Sequence, residues 1–138
     1  MSMGSVHADR RLGGLAILLV EDDEDGREVL KLILCHAGAR VTTASPASEG
    51  LELYKAAPPA VLVTDIAMPG ADGIWLLHAV RSEPGLPRVP AIAITALAMA
   101  TDRAKLRAAG FDAHVIKPVD PEVVVRTVAT VTGRGRSR

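Results

Sequence analysis

The sequence predicts an α/β domain built on a five-stranded parallel sheet with helices on both faces. Three observations predict it. Short apolar runs alternate with helix-period patterns five times along the chain. Helix-start chemistry follows most of these runs. The central runs are continuously apolar, as in parallel strands covered on both sides. Repeated βα units favour a parallel sheet with right-handed crossovers.

The strands are expected at Ala16–Val20, Arg40–Ala44, 60–64, Ala91–Thr95 and Ala113–Ile116. After the first strand, Val29, Leu30, Ile33, Leu34 and Ala37 follow the i, i+3, i+4 spacing of an amphipathic helix, and Gly38 stops it. Ser45 reads as the N-cap of the second helix, with Pro46 at its first position. Asp72-Gly73 opens the third helix, which carries Ile74, Leu77 and Val80. Thr101-Asp102 opens the fourth, which runs to Ala109 and ends at Gly110. Asp120-Pro121-Glu122 opens the fifth with a cap, an N1 proline and an acid in the first turn. That segment carries a conflict, because Val123, Val124, Val125, Val128 and Val131 are β-branched and suit a strand. The cap signature and the alternation of the whole chain favour helix.

With 138 residues the chain suits one domain, expected at 15–132 between a flexible leader, 1–14, and a flexible tail, 133–138. Hydrophobic residues make up 49% but aromatics only 2%, so the core is aliphatic and offers little for base stacking. The formal net charge of zero gives no general attraction to a polyanion, and no direct nucleic-acid contact is expected. No apolar stretch is long enough to span a bilayer, and no membrane contact of its own is expected. The single cysteine, Cys35, sits in the apolar stripe and reads as a buried, inert thiol. A reduced, cytoplasmic setting follows as the expectation.

Chemistry gathers at the strand ends. The third strand delivers Asp65 to the rim of a hydrophobic sheet, where a carboxylate needs charged company or a shifted pKa. Glu21, Asp22 and Asp23 follow the first strand directly. Two strand ends that finish in acid make a pocket for a divalent cation. Thr95 and Lys117 close the fourth and fifth strands. In open α/β sheets the ligand site lies outside these carboxyl ends, where the strand order switches.

The motifs Leu-Val-Glu21-Asp22-Asp23, Asp65-Ile-Ala-Met-Pro-Gly-Ala-Asp-Gly, Ile-Thr95-Ala96 and Lys117-Pro118 together resemble the receiver domain of two-component response regulators. The resemblance covers residues 15–131 and implies the flavodoxin-like strand order 2-1-3-4-5. It implies that Asp65 is the phosphoacceptor and that Mg²⁺ is the cofactor. Asp22 and Asp65 would ligate the ion directly, Glu21 through water, and Ala67 through its backbone oxygen; Asp23 falls just outside the acidic pair. Lys117 would pair with Asp65 and then with a phosphoryl oxygen, through a Lys-Pro bond that is often cis in the family. Thr95 would offer its hydroxyl to the phosphoryl group, and the small Ala96 beside it would leave room for the donor imidazole. The family's switch couples Thr95 to an aromatic residue at the position of His114, which here reads either as a conformational element or as a surface histidine. His36 and His78 read as surface residues. Ala67 and Leu97 occupy positions where the family tunes dephosphorylation, and both being apolar suggests slow intrinsic hydrolysis.

Three functions compete. The first is a signalling module, not an enzyme, that accepts a phosphoryl group from a histidine kinase or a histidine phosphotransfer protein and changes its surface over 101–131. The second is a Mg²⁺-dependent aspartyl-phosphate phosphohydrolase. Enzymes of the haloacid dehalogenase type want a second Asp two residues after the nucleophile, where Ala67 stands. The third is a pseudo-receiver, against which the retained acids, Thr95 and Lys117 argue. The residues before the first strand and around the last resemble C-terminal receivers of hybrid sensor kinases, so an excised or C-terminal receiver is expected over a stand-alone regulator. A homodimer through the last strand and its helices is a possible arrangement.

Overall fold

Ten elements alternate strictly in the computed structural model, which describes residues 9–68, 72–96 and 100–134. They are β1 (Ala16–Val20), α1 (Glu24–His36), β2 (Arg40–Ala44), α2 (Ala47–Ala56), β3 (Val61–Asp65), α3 (Gly73–Ser82), β4 (Ala91–Thr95), α4 (Ala100–Ala109), β5 (Ala113–Ile116) and α5 (Pro121–Val131). The strands form one parallel sheet in the order β2-β1-β3-β4-β5. The strand order therefore reverses between β1 and β3, the two strands that end in acid.

The period-2 alternation of the strands sorts their side chains into two cores. Ile17, Leu19, Val61, Val63, Ile92, Ile94 and Val115 pack against α1 and α5. Leu18, Val20, Leu62, Ala91 and Ala93 pack against α2, α3 and α4. β3 and β4 are buried at every position, whereas the edge strand β2 is not. α5 resolves its conflict as a helix. Val124, Val125, Val128 and Ala129 make a buried helical stripe, and Asp120 accepts hydrogen bonds from the Glu122 and Val123 amides. Cap and tertiary packing override the β-branched propensity. Among the described residues no helix is long and apolar enough to cross a membrane.

Several expectations need correction. β3 lies one residue later than expected, so Asp65 is itself the last strand residue. The second helix starts at Ala47, with Pro46 in the cap position and no side-chain cap. The Ser45-Pro46 bond is cis, and the Ser45 amide instead donates to the Glu49 carboxylate at 2.9 Å. α4 starts at Ala100, one residue before Thr101. Cys35 is exposed, as is Val29 at 55%. The buried stripe of α1 is narrower than the apolar pattern, running through Leu30 and Leu34 to Ala37, with both residues on its flanks.

The leader is also packed where it is described. Leu12 is fully buried in the core, and its amide donates to the Ala37 carbonyl at 2.9 Å. Arg11 forks onto Glu122 at 2.8 and 3.0 Å, tying this segment to the first turn of α5. Arg134, expected in the tail, donates to the Gly13 carbonyl at 2.8 Å. Residues 1–8 and 135–138 lie outside the described residues. Residues 9–14 thus belong to the folded unit. Leu12→Ala is expected to lower unfolding free energy by about 2–5 kcal/mol in urea titrations, as for other buried leucines. A change within about 0.5 kcal/mol, typical of surface positions, would show that the segment is not part of the core.

Candidate functional site

β1 and β3 are hydrogen-bonded neighbours, with Val20 opposite Thr64, so their next residues, Glu21 and Asp65, emerge side by side. Glu21, Asp65 and Lys117 share strand parity with the residues facing α1 and α5. Carboxylate oxygens of Glu21, Asp22 and Asp65 lie within 4.8 Å of one another. The Lys117 ammonium stands 3.0 Å from Asp65 Oδ2 and 3.6 Å from Glu21 Oε1. Glu21 is only 2% exposed and Asp65 4%, so this cation faces two carboxylates that water hardly reaches.

The electrostatics follow from that burial. Desolvation, with the neighbouring Asp65 carboxylate adding to it, pushes the Glu21 carboxyl up to about 7. Burial alone would lower the Lys117 ammonium. Its bonds and charge pairing with Asp65 and Glu21 outweigh that and hold its pKa above the ordinary lysine value. Three oxygen donors and no nitrogen or sulfur suit a hard divalent cation such as Mg²⁺, and the donor set fits such an ion.

Two backbone amides bear on these groups. The Lys117 amide donates to the Thr95 carbonyl at 2.8 Å, and the Lys117-Pro118 bond is cis. The Ala67 amide donates to Asp65 Oδ1 at 3.3 Å, so the Ala67 backbone stands at the rim beside the acid. Thr95 is 2% exposed at the end of β4. It shares the parity of Ala91 and Ala93, facing α4 rather than α1. His114 pairs with Ala93 and has the same facing. It is half-buried and lines a small notch with Arg103, Leu106, Arg107 and Phe111. His36 and His78 are exposed. Asp23 caps α1 by accepting from the Gly26 amide at 2.7 Å. Leu97 lies outside the described residues.

The structure adds a steric role for Gly73, the last residue of the Asp65 motif, and one residue outside the motifs, Arg27. Gly73 opens α3 directly over β3, and a methyl group there would collide with the Asp65 carbonyl. Arg27, in the first turns of α1, donates from Nη1 to the Glu21 carbonyl at 2.8 Å. A helix-opening Asp-Gly pair hinted at the first. No periodicity marks a side chain that turns back to a backbone carbonyl.

Comparison with known proteins agrees with this geometry. Residues 17–129 match the family described as response regulator receiver domain. An uncharacterised 14.6 kDa protein of Leptolyngbya boryana is 43% identical over 117 residues, covering 85% of this chain and 89% of that protein. The transcriptional regulatory protein AfsQ1 of Streptomyces coelicolor is 34% identical, covering 87% of this chain and 52% of its own length. The chain spans about half the length of the transcriptional regulators it matches. Among solved structures, chemotaxis protein CheY4 of Vibrio cholerae superposes with a TM-score of 0.80 at 26% identity, covering 86% of this chain and 99% of that one. The receiver domain of a Pseudomonas aeruginosa sensor histidine kinase superposes with a TM-score of 0.79 at 28% identity, covering 88% and 99%. That structure has a magnesium ion coordinated in its active-site cleft. Likeness to regulators and to a kinase receiver alike does not single out the hybrid-kinase setting.

Glu21 sets a pH dependence. Its folded pKa of about 7 lies above the ordinary 4.5, so between those values the folded chain keeps a proton that the unfolded chain has lost. Stability of the metal-free protein is therefore expected to fall as pH rises through that window. Urea midpoints measured across it should decline, and Glu21→Gln should flatten the decline. An equal decline in the variant would show that Glu21 is not the titrating group.

Proposed function

The chain belongs to the response regulator receiver domain family, and from that premise we propose that it accepts a phosphoryl group from a phosphohistidine onto Asp65. One observation carries this reading: a nearly buried Asp65 with a lysine ammonium at 3.0 Å and two further carboxylates around a common point. A carboxylate oxygen of Asp65 attacks phosphorus, the P–N bond breaks, and the imidazole nitrogen keeps the electron pair and takes a proton. Phosphoryl transfer of this kind rests on positioning and charge neutralisation. Mg²⁺, when bound, supplies that neutralisation. Asp22 and Asp65 would hold it directly, Glu21 through water, and the Ala67 carbonyl would add an oxygen.

Lys117 has two successive partners in this scheme. It pairs with Asp65 in the resting protein and with a phosphoryl oxygen afterwards. The Thr95 hydroxyl meets the phosphoryl group, and His114, on the same face of the sheet beside α4, carries the change to the surface. The phosphodonor is a histidine kinase or a histidine phosphotransfer protein. A groove of about 380 Å³ beside Lys117, lined in part by Gly26, Val29, Leu30, Pro118 and Val119, supports docking of such a partner. Leu32, 67% exposed on the same helix, extends the apolar surface. A second copy could meet β5 and its flanking helices at Ile116, which is 38% exposed. The domain is a receiver of the group rather than an enzyme acting on other molecules. The phosphohydrolase reading lacks its second acid, because the methyl side chain of Ala67 carries no carboxylate.

Incubation with Mg²⁺ and a small-molecule phosphodonor should add one phosphoryl mass that hydroxylamine removes. Asp65→Asn should abolish the addition while the chain stays folded. Persistence of the hydroxylamine-sensitive addition in that variant would place the acceptor elsewhere.

A further inference from the structure

Five acids in succession, Glu21 to Asp25, fill the turn after β1 and the first turn of α1. Their mutual repulsion opposes any single geometry for the two that face Asp65. Hydrogen bonds hold most of the turn. The Glu21 amide donates to the Ala44 carbonyl at 3.2 Å, and the Asp23 amide donates to Glu21 Oε2 at 3.1 Å. Asp23 is occupied with capping α1. Arg27 adds two further bonds, its amide donating to the Asp23 carbonyl at 2.9 Å and its guanidinium to the Glu21 carbonyl at 2.8 Å.

Arg27 is out of place by helix electrostatics. The N-terminal turns of a helix carry partial positive charge and disfavour a cation. Its half-buried side chain does not point away along the helix but turns back to the peptide joining Glu21 to Asp22. Fixing that carbonyl fixes the plane of the peptide, and with it the direction in which Asp22 leaves the strand end. None of the bonds named in this turn uses the Asp22 carboxylate, which lies within 4.8 Å of the other two acids.

We propose that Arg27 is a positioning residue for the cation site, holding the Glu21-Asp22 peptide so that Asp22 and Glu21 meet Asp65 at the spacing one divalent cation requires. The inference rests on the proposed metal-dependent phosphoacceptor reading. It has a signature that separates it from simple charge. Removing a positive charge near a cation site relieves repulsion and tightens cation binding. Removing a positioning bond weakens it. The sign of the change decides between them.

The test is a calorimetric titration of MgCl₂ into the full chain and its variants. Arg27→Gln should raise the Mg²⁺ Kd by about tenfold or more, the range for supporting groups behind metal ligands. Arg27→Met keeps the aliphatic stem and loses the donors, so it should weaken binding likewise. Arg27→Lys should recover part of the affinity. Amide exchange at Asp22 and Asp23 should quicken in the metal-free Gln and Met variants. Equal or tighter Mg²⁺ binding by a folded Gln or Met variant overturns the inference and leaves the phosphoacceptor reading standing. Failure of both variants to fold also overturns it, because the role would then be structural. Absence of Mg²⁺ binding by the wild-type chain strikes the underlying reading instead.

Discussion

The ion group of Lys117 with Asp65 and Glu21 is the interaction on which the rest of the molecule depends. Two carboxylates with almost no access to water cannot both ionise side by side without a counter-charge. The sheet order supplies the neighbours. β1 lies beside β3, so their acids meet directly, whereas β5 is separated from β3 by β4. A short side chain on β5 would not reach across. The lysine stem spans the gap, and the hydrogen bond from the Lys117 amide to the Thr95 carbonyl sets its starting point. In the proposed function the same need for positive charge draws a metal ion to the acids, and the lysine then pairs with the phosphoryl group. Each brings what the resting carboxylates lack or gives the lysine a new partner.

Strand parity divides the labour. Glu21, Asp65 and Lys117 face the α1 and α5 side, while Thr95 and His114 face α4. In the proposed function the chemistry occurs on one side of the sheet rim, and the readout lies on the other. His114 is smaller than the aromatic residue of the family pattern and carries ring nitrogens, so its movement in the α4 notch would exchange polar contacts as well as volume. Arg11 and Glu122 tie the first turn of α5 to residues that precede the sheet, which extends the folded unit beyond the matched family segment.

Much of this was legible in the chain itself. Apolar runs ending in Asp65, Thr95 and the acids after Val20 fixed the site because strand ends in a parallel sheet share one rim. Asp72 and Asp120 announced their helices because side-chain caps follow a local rule. What escaped notice depends on tertiary contact. Leu12 looked like leader because burial of a single leucine leaves no period. Cys35 and Val29 looked buried because the apolar pattern of α1 is wider than the surface that covers it. Pro46 stands in the cap position rather than at N1, and the Ser45 amide is taken by the Glu49 carboxylate, so the expected Ser45 cap does not form. Arg27 carries no sequence signal because its partner is a backbone carbonyl.

The most direct measurement is a crystal structure of the chain with Mg²⁺ and beryllofluoride, an analogue of a carboxyl-bound phosphoryl group. The account predicts the fluoride group on Asp65, the metal between Asp22 and Asp65, and the Lys117 ammonium turned from the Asp65 carboxylate to a fluorine. A beryllofluoride group on another residue, or a metal bound away from these acids, would contradict it.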